Sequence, residues 1–391
     1  MAGTIIDYIR KYGNYSFAEL PMNDVDSLVL CQLSYLKYDG MVSTVWENGP
    51  FISLKAIAER EDCYKLFADE RYAKVNRQLF RAAVEGKRYC NTRLNCYINL
   101  VEKQMETQFS AITFLLEDGT VYIAFRGTDE TIVGWKEDFN MAFLSPIPGQ
   151  MYSAKYLNMV TAKLHKPFYV GGHSKGGNLA VYGAMCCLPV VQKQILKVYN
   201  MDGPGFRPEV LERCGYKRIE ERVVKILPRS SLIGMIFERD IRYITVESNR
   251  LGLAQHDPYT WLIEENHFSV VDDIYSARRL MDNAINEWIL SLEEQQLRLF
   301  VDTLYQVITA SRVESLLELT TDWKGSIGRI ISAFKEVDEQ TAAILKKILL
   351  ALFDITKTMV KEEVGMVINR KHAPQKSKMQ KEKAMELRIR Q

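Results

Sequence analysis

The chain has 391 residues, 47% hydrophobic and 26% charged, an ordinary globular usage that excludes a disordered, collagen-like or low-complexity polypeptide. Fifty-one Lys/Arg against 49 Asp/Glu leave +2, too even a balance to imply a nucleic-acid partner, and the excess lies in the tail, where Arg370 to Gln391 holds eight basic and two acidic residues. Seven cysteines (Cys31, Cys63, Cys90, Cys96, Cys186, Cys187 and Cys214) at irregular spacing fit neither a disulfide framework nor a zinc site.

Residues 1 to about 105 read as mostly helical, with NDVDSLVLCQLSYLKYDG (Asn23 to Gly40) the clearest amphipathic stretch. The N-terminus lacks a signal-like apolar region, and nowhere do about 18 apolar residues run uninterrupted, so a soluble cytoplasmic protein is expected. From Ile112 the pattern changes to apolar strands alternating with helices, which calls for right-handed crossovers and a largely parallel sheet. Ile112 to Leu116 forms a hairpin with Val121 to Phe125 across Glu117-Asp118-Gly119; further strands follow at Phe168 to Gly171, Leu196 to Met201, Val223 to Leu227 and Ile241 to Val246. Helices fall at Lys155 to His165 and Gly177 to Cys187. After about Tyr275 Gly and Pro nearly vanish and apolar residues recur at helical spacing as far as Ile368. The expected division is an α/β domain at 1–275 that includes the N-terminal helical extension, a helical region at 276–369, and a basic tail at 370–391.

The chemistry concentrates in GGHSKGG (Gly171 to Gly177), set between a strand and a helix. This is the context of a nucleophile elbow: a sharp strand-to-helix turn exposes Ser174, and Gly172 and Gly176 allow the close backbone approach it needs. The Lys175 amide, at the start of the helix, is a candidate oxyanion donor. The spacing is not that of a phosphate-binding loop. A serine at neutral pH needs a base, and His256 and His267 are the candidates; His256 is placed on a loop downstream of a strand, whereas His267 suits a capping or packing role before a helix. His173, next to Ser174, is expected to point its ring elsewhere. The orienting acid belongs at the carboxyl end of a later strand, where Asp202 stands, with Glu238, Asp240 and Asp257 as alternatives. Asp202 has a second reading, an Asx turn before Gly203-Pro204-Gly205. Phe125-Arg126-Gly127-Thr128-Asp129 leaves a central strand where a second oxyanion donor is needed, so Thr128 is a candidate, with Arg126 and Asp129 pairing to brace the loop.

FRGTD (Phe125 to Asp129) and GGHSKGG, with Trp135 and Asp138 between them, resemble the fungal-type class 3 lipases of the α/β-hydrolase superfamily. NMDGPGF, Ser230 to Met235 and QHDPYTW (Gln255 to Trp261), together with the N-terminal NDVDSLVLCQLSYL, are similar to the Mbeg-like bacterial α/β hydrolases. The resemblance implies Ser174 as nucleophile, His256 as base, Thr128 at the oxyanion hole, and a lid-equivalent segment carrying Ile132, Val133 and Trp135. Class 3 lipases place their acid after the strand matching VVKIL, where this chain has Pro228-Arg229-Ser230-Ser231; an acid one strand earlier, as at Asp202, resembles the pancreatic-type lipases.

The expected function is a serine hydrolase of carboxylic esters, small or lipid-like, working without metal or organic cofactor. Two alternatives stand beside it: a thioesterase or amidase using the same residues, and an idle hydrolase fold acting through its C-terminal helices, which with the basic tail also offer peripheral membrane contact.

Overall fold

The computed structural model describes residues 2–69, 72–102, 104, 107–128, 146–213, 215–231, 233–237, 242–250, 252–271 and 286. The lid-equivalent Ile132, Val133 and Trp135, the alternative acids Glu238 and Asp240, Asp129, and the expected C-terminal helices and tail, Asn286 apart, lie outside the described residues.

A nine-stranded mixed sheet organises the described chain. Its antiparallel half runs β1 (Ile52–Ser53), β2 (Arg93–Glu102), β3 (Thr107–Leu115) and β4 (Val121–Phe125). Four parallel pairings then join β4 to β5 (Phe168–His173), β6 (Ile195–Met201), β7 (Val223–Pro228) and β8 (Tyr243–Val246). A short hairpin of β9 (Ile263–Glu264) and β10 (His267–Phe268) stands apart, and β11 (Val270–Val271) closes the sheet antiparallel to β8.

Both sheet faces are covered, as a parallel sheet requires. Along β4 the side chains alternate: Val121, Ile123 and Phe125 pack towards α6 (Pro148–Leu164) and α7 (Lys175–Cys186), while Tyr122 and Ala124 face the N-terminal helices. Those helices are α1 (Ile5–Tyr12), α2 (Asp24–Leu33), α3 (Leu54–Ala58), α4 (Ala73–Glu85) and α5 (Lys87–Cys90). They are the second layer of the sandwich, not an appendage to it. The sheet, its two helical layers and the strand–turn–helix elbow described below make this an α/β-hydrolase fold.

The helical reading of residues 1 to 105 holds for α1 to α5 and fails at β2. Its period-2 pattern is broken by a bulge between Asn95 and Ile98, where Cys96 takes φ +57°, so apolar residues there do not alternate cleanly. The amphipathic stretch also differs from expectation, because α2 is buried almost all round. Asn23 caps it, accepting from the amides of Val25 and Asp26 at 2.9 and 3.1 Å. The Asp26 carboxylate is wholly buried and receives Arg88 Nε at 2.7 Å, the Tyr8 hydroxyl at 3.1 Å, and closer bonds from Arg88 Nη2 and the Tyr89 hydroxyl. Its polar residues therefore serve the junction between helices rather than a solvated face. The Tyr122 hydroxyl meets Ser27 Oγ at 2.6 Å, fastening this layer to β4.

Candidate active site

The strand β5 ends at His173 and helix α7 begins at Lys175, leaving Ser174 alone to turn the chain. Its backbone sits at φ +58°, ψ −131°, a conformation costly for a residue with a side chain. Two contacts hold it there: the Ser174 amide donates to Met201 O at 2.9 Å and Ser174 O accepts from the Gly177 amide at 2.9 Å. A Cβ on Gly172 would strike the Gly176 backbone, and one on Gly176 would strike the carbonyl of Phe125. Both glycines are thus required by the turn and by the passage of α7 over the end of β4.

Asp202 leaves β6, one strand over, also at positive φ (+52°). Its amide donates to Ile226 O at 2.9 Å, and its carboxylate is completely buried. The side-chain bond that braces this turn comes from Asn200, whose Oδ1 accepts from the Gly203 amide at 2.8 Å. That leaves the Asp202 carboxylate for other partners. Oδ2 meets His256 Nδ1 at 2.7 Å, and on the far side of the ring His256 Nε2 meets Ser174 Oγ at 3.0 Å. A carboxylate only accepts, so the proton between them sits on Nδ1, and Nε2 presents its lone pair to the serine hydroxyl. Ser174, His256 and Asp202 are brought together in one line. His267 is not; it lies in strand β10, its Nδ1 3.1 Å from Phe268 O. Asp257 instead caps the next turn, accepting from the Tyr259 amide at 3.0 Å.

Sequence reasoning passed over Ser231. Its hydroxyl donates to Asp202 Oδ1 while its oxygen accepts from the Gly234 amide at 3.1 Å. Ser231 follows the very strand after which class 3 lipases carry their acid, so that loop supplies a donor to the carboxylate in place of one. The only signal was its position in Pro228-Arg229-Ser230-Ser231. The same loop is tied to the segment that carries His256: the Ser230 amide donates to Gln255 Oε1 at 2.9 Å, and the Trp261 indole donates to Gln255 O at 2.8 Å.

The loop after β4 comes up against the elbow, since a Cβ on Gly127 would meet His173 O and Ser174 Cβ. Thr128 is the next residue. Arg126 is buried and donates to Asn99 on β2 at 3.0 Å, so the loop is braced from that strand. The Lys175 side chain plays no part beside Ser174: it is 1% exposed and its ammonium donates to Gln108 O and Oε1 on β3 at 3.0 and 2.9 Å. The Lys175 amide is at the first position of α7, next to Ser174.

The His173 ring is turned to His256 and Tyr35, while Ser174 Oγ meets the His256 ring. His173 stacks 4.7 Å from the His256 ring, with Nε2 2.9 Å from His256 O and Nδ1 3.3 Å from the Tyr35 hydroxyl. Burial, and secondarily the neighbouring His256, hold its pKa well below the usual imidazole value, so it is neutral.

Among the described residues no helix is long and apolar enough to cross a membrane. A search of curated proteins found no match. A crystal structure of M37 lipase is similar at 14% identity, over 54% of this chain and 68% of that one, with a TM-score of 0.31, too slight a likeness to carry an argument. The Mbeg1-like family model matches residues 83–306, more than half of the sequence, and the chain therefore belongs to the Mbeg1-like family.

Proposed function

We propose that this protein is a serine hydrolase of carboxylic esters. The observation that carries the reading is the hydrogen-bonded line from Ser174 Oγ through His256 to Asp202 Oδ2, mounted on a strained elbow. Ser174 Oγ adds to the acyl carbon while His256 Nε2 takes its proton, and Asp202 holds the ring and steadies the imidazolium. The oxyanion falls to the amides of Thr128 and Lys175. Collapse expels the alcohol, which leaves with the proton from His256, and a water then repeats the sequence to release the acid. His256, with about 30% of its side chain exposed, is open to the reacting groups.

Apolar acyl groups suit the lid-equivalent sequence, in which Ile132, Val133 and Trp135 stand between Thr128 and Asp138. Irregularly spaced cysteines, six of which are free thiols, favour work in the cytoplasm. A fluorophosphonate probe tests the reading: the folded protein takes up label and Ser174→Ala does not. Folded wild-type protein that stays unlabelled and leaves short-chain p-nitrophenyl esters intact overturns it.

A further inference from the structure

The proposed residues Ser174, His256 and Asp202 all sit on the C-terminal ends of strands or in the loops beyond them, yet the hydrogen bonds behind them lead to the opposite layer. Tyr35, just past α2 in the N-terminal helical layer, reaches the elbow. Its hydroxyl lies 3.3 Å from His173 Nδ1 and 3.4 Å from His173 O. A Cβ on Gly127 would collide with that hydroxyl. His173 then passes the contact on, with Nε2 2.9 Å from the carbonyl of His256.

The protons in this chain are determined by chemistry. A carbonyl only accepts, so His173 Nε2 carries the hydrogen; the neutral ring then has a lone pair on Nδ1, which together with the His173 carbonyl oxygen faces the Tyr35 hydroxyl as an acceptor. Burial raises the Tyr35 pKa and lowers that of His173, so both stay neutral and keep these roles. One phenol therefore touches both sides of the site. It packs against Gly127, the neighbour of Thr128, and through His173 it reaches the main chain of His256.

The base-bearing loop is tied to the same layer at two further points. The Tyr259 hydroxyl donates to Asn76 Oδ1 on α4 at 2.8 Å, and Gly3 and Ile263 exchange backbone bonds at 2.9 and 2.8 Å. We infer that Tyr35 and His173 are positioning residues, through which the N-terminal helical layer sets the distance between the His256 ring, Ser174 and the Gly127–Thr128 loop. The inference rests on the hydrolase reading. It makes residues of that layer part of the working site rather than only its support.

The test uses the full chain and a short-chain p-nitrophenyl ester, with fluorophosphonate labelling in parallel. His173→Leu removes the donor to His256 O, and Tyr35→Phe removes a single oxygen. Displacements of about 1 Å are enough to matter, because misplacement on that scale costs up to about a hundredfold. Both variants are expected to lose about ten- to a hundredfold in kcat and in labelling rate, with KM within about twofold. His173→Gln, whose amide N–H falls near the lost Nε2–H, should recover most of the loss. General loosening of the fold would not produce that split or that rescue.

The two readings fail in different ways. If wild type is labelled, Ser174→Ala is not, and Tyr35→Phe and folded His173→Leu keep kcat within threefold, the positioning inference is overturned while the hydrolase stands. Should His173→Leu fail to fold, Tyr35→Phe alone decides. A folded wild type without labelling or turnover overturns the hydrolase and, with it, the inference.

Discussion

Replacing Asp202 by Asn exchanges one carboxylate oxygen for an NH2 group, and the surroundings dictate which one. Ser231 Oγ already accepts from the Gly234 amide at 3.1 Å, so its own hydrogen goes to Asp202 Oδ1. In Asp202→Asn that donor retains the amide oxygen, and the NH2 is turned towards His256 Nδ1. The imidazole then has to accept at Nδ1 and carry its hydrogen on Nε2, facing Ser174, where it can no longer take the serine proton. Turnover is expected to fall about 10²–10⁴-fold. The reverse amide orientation would restore the working tautomer, but it leaves the Ser231 hydroxyl hydrogen buried without an acceptor, at about 1–3 kcal/mol. Ser231→Ala removes that obstacle. Since about 1.4 kcal/mol is tenfold, the double variant Asp202→Asn/Ser231→Ala should turn over about 5- to 140-fold faster than Asp202→Asn alone. In the wild-type background the same Ser231→Ala change should slow the enzyme, because the carboxylate loses a partner. Steady-state ester hydrolysis by the four proteins checks this, and a double variant no faster than Asp202→Asn would refute the reasoning.

Other consequences are open to direct measurement. Gly172→Ala forces a methyl into the backbone of Gly176, so it should cost about 1–3 kcal/mol, seen as a lowered Tm, together with loss of fluorophosphonate labelling. Asp26→Ala leaves the Arg88 guanidinium buried without its carboxylate, and both side chains are 0% exposed; a loss of about 3–5 kcal/mol is expected in denaturant titration. His173 is held neutral in the fold, with its pKa well below the usual 6.5, so below about pH 6.5 the unfolded chain binds a proton that the native one refuses. Its contribution to stability is thus complete above that pH and declines as pH falls towards the depressed native value, by at most about 1.4 kcal/mol per pH unit. Melting curves between pH 7.5 and 5.5 should show this slope, and His173→Gln should flatten it; an unchanged slope in the variant would exclude His173 as its source.

What the amino-acid sequence determined by itself is local. Glycine two before and two after a serine, between an apolar strand and a helix, specifies the elbow at Gly172 to Gly176, because that turn depends on the absence of nearby Cβ atoms. The unbroken apolar run Val121 to Phe125 marks a strand buried on both faces, and the chain order of Ser174, Asp202 and His256 already made them candidates for a common site. The strand Arg93–Glu102 was illegible because its bulge at Cys96 breaks the period-2 pattern, and α2 looked amphipathic because the polarity of Asp26 and Ser27 does not reveal that their partners are buried.

The tertiary structure decided the questions of partnership. The sequence left Asp202 with two readings, an Asx turn or a partner for the base; in the fold Asn200 Oδ1 takes the Gly203 amide, and the Asp202 carboxylate meets His256 and Ser231. His173 and Tyr35 are 138 positions apart in the chain, so no local pattern could pair them. A hydrogen bond between distant segments depends on how two layers close over a sheet, and only the folded chain specifies that distance.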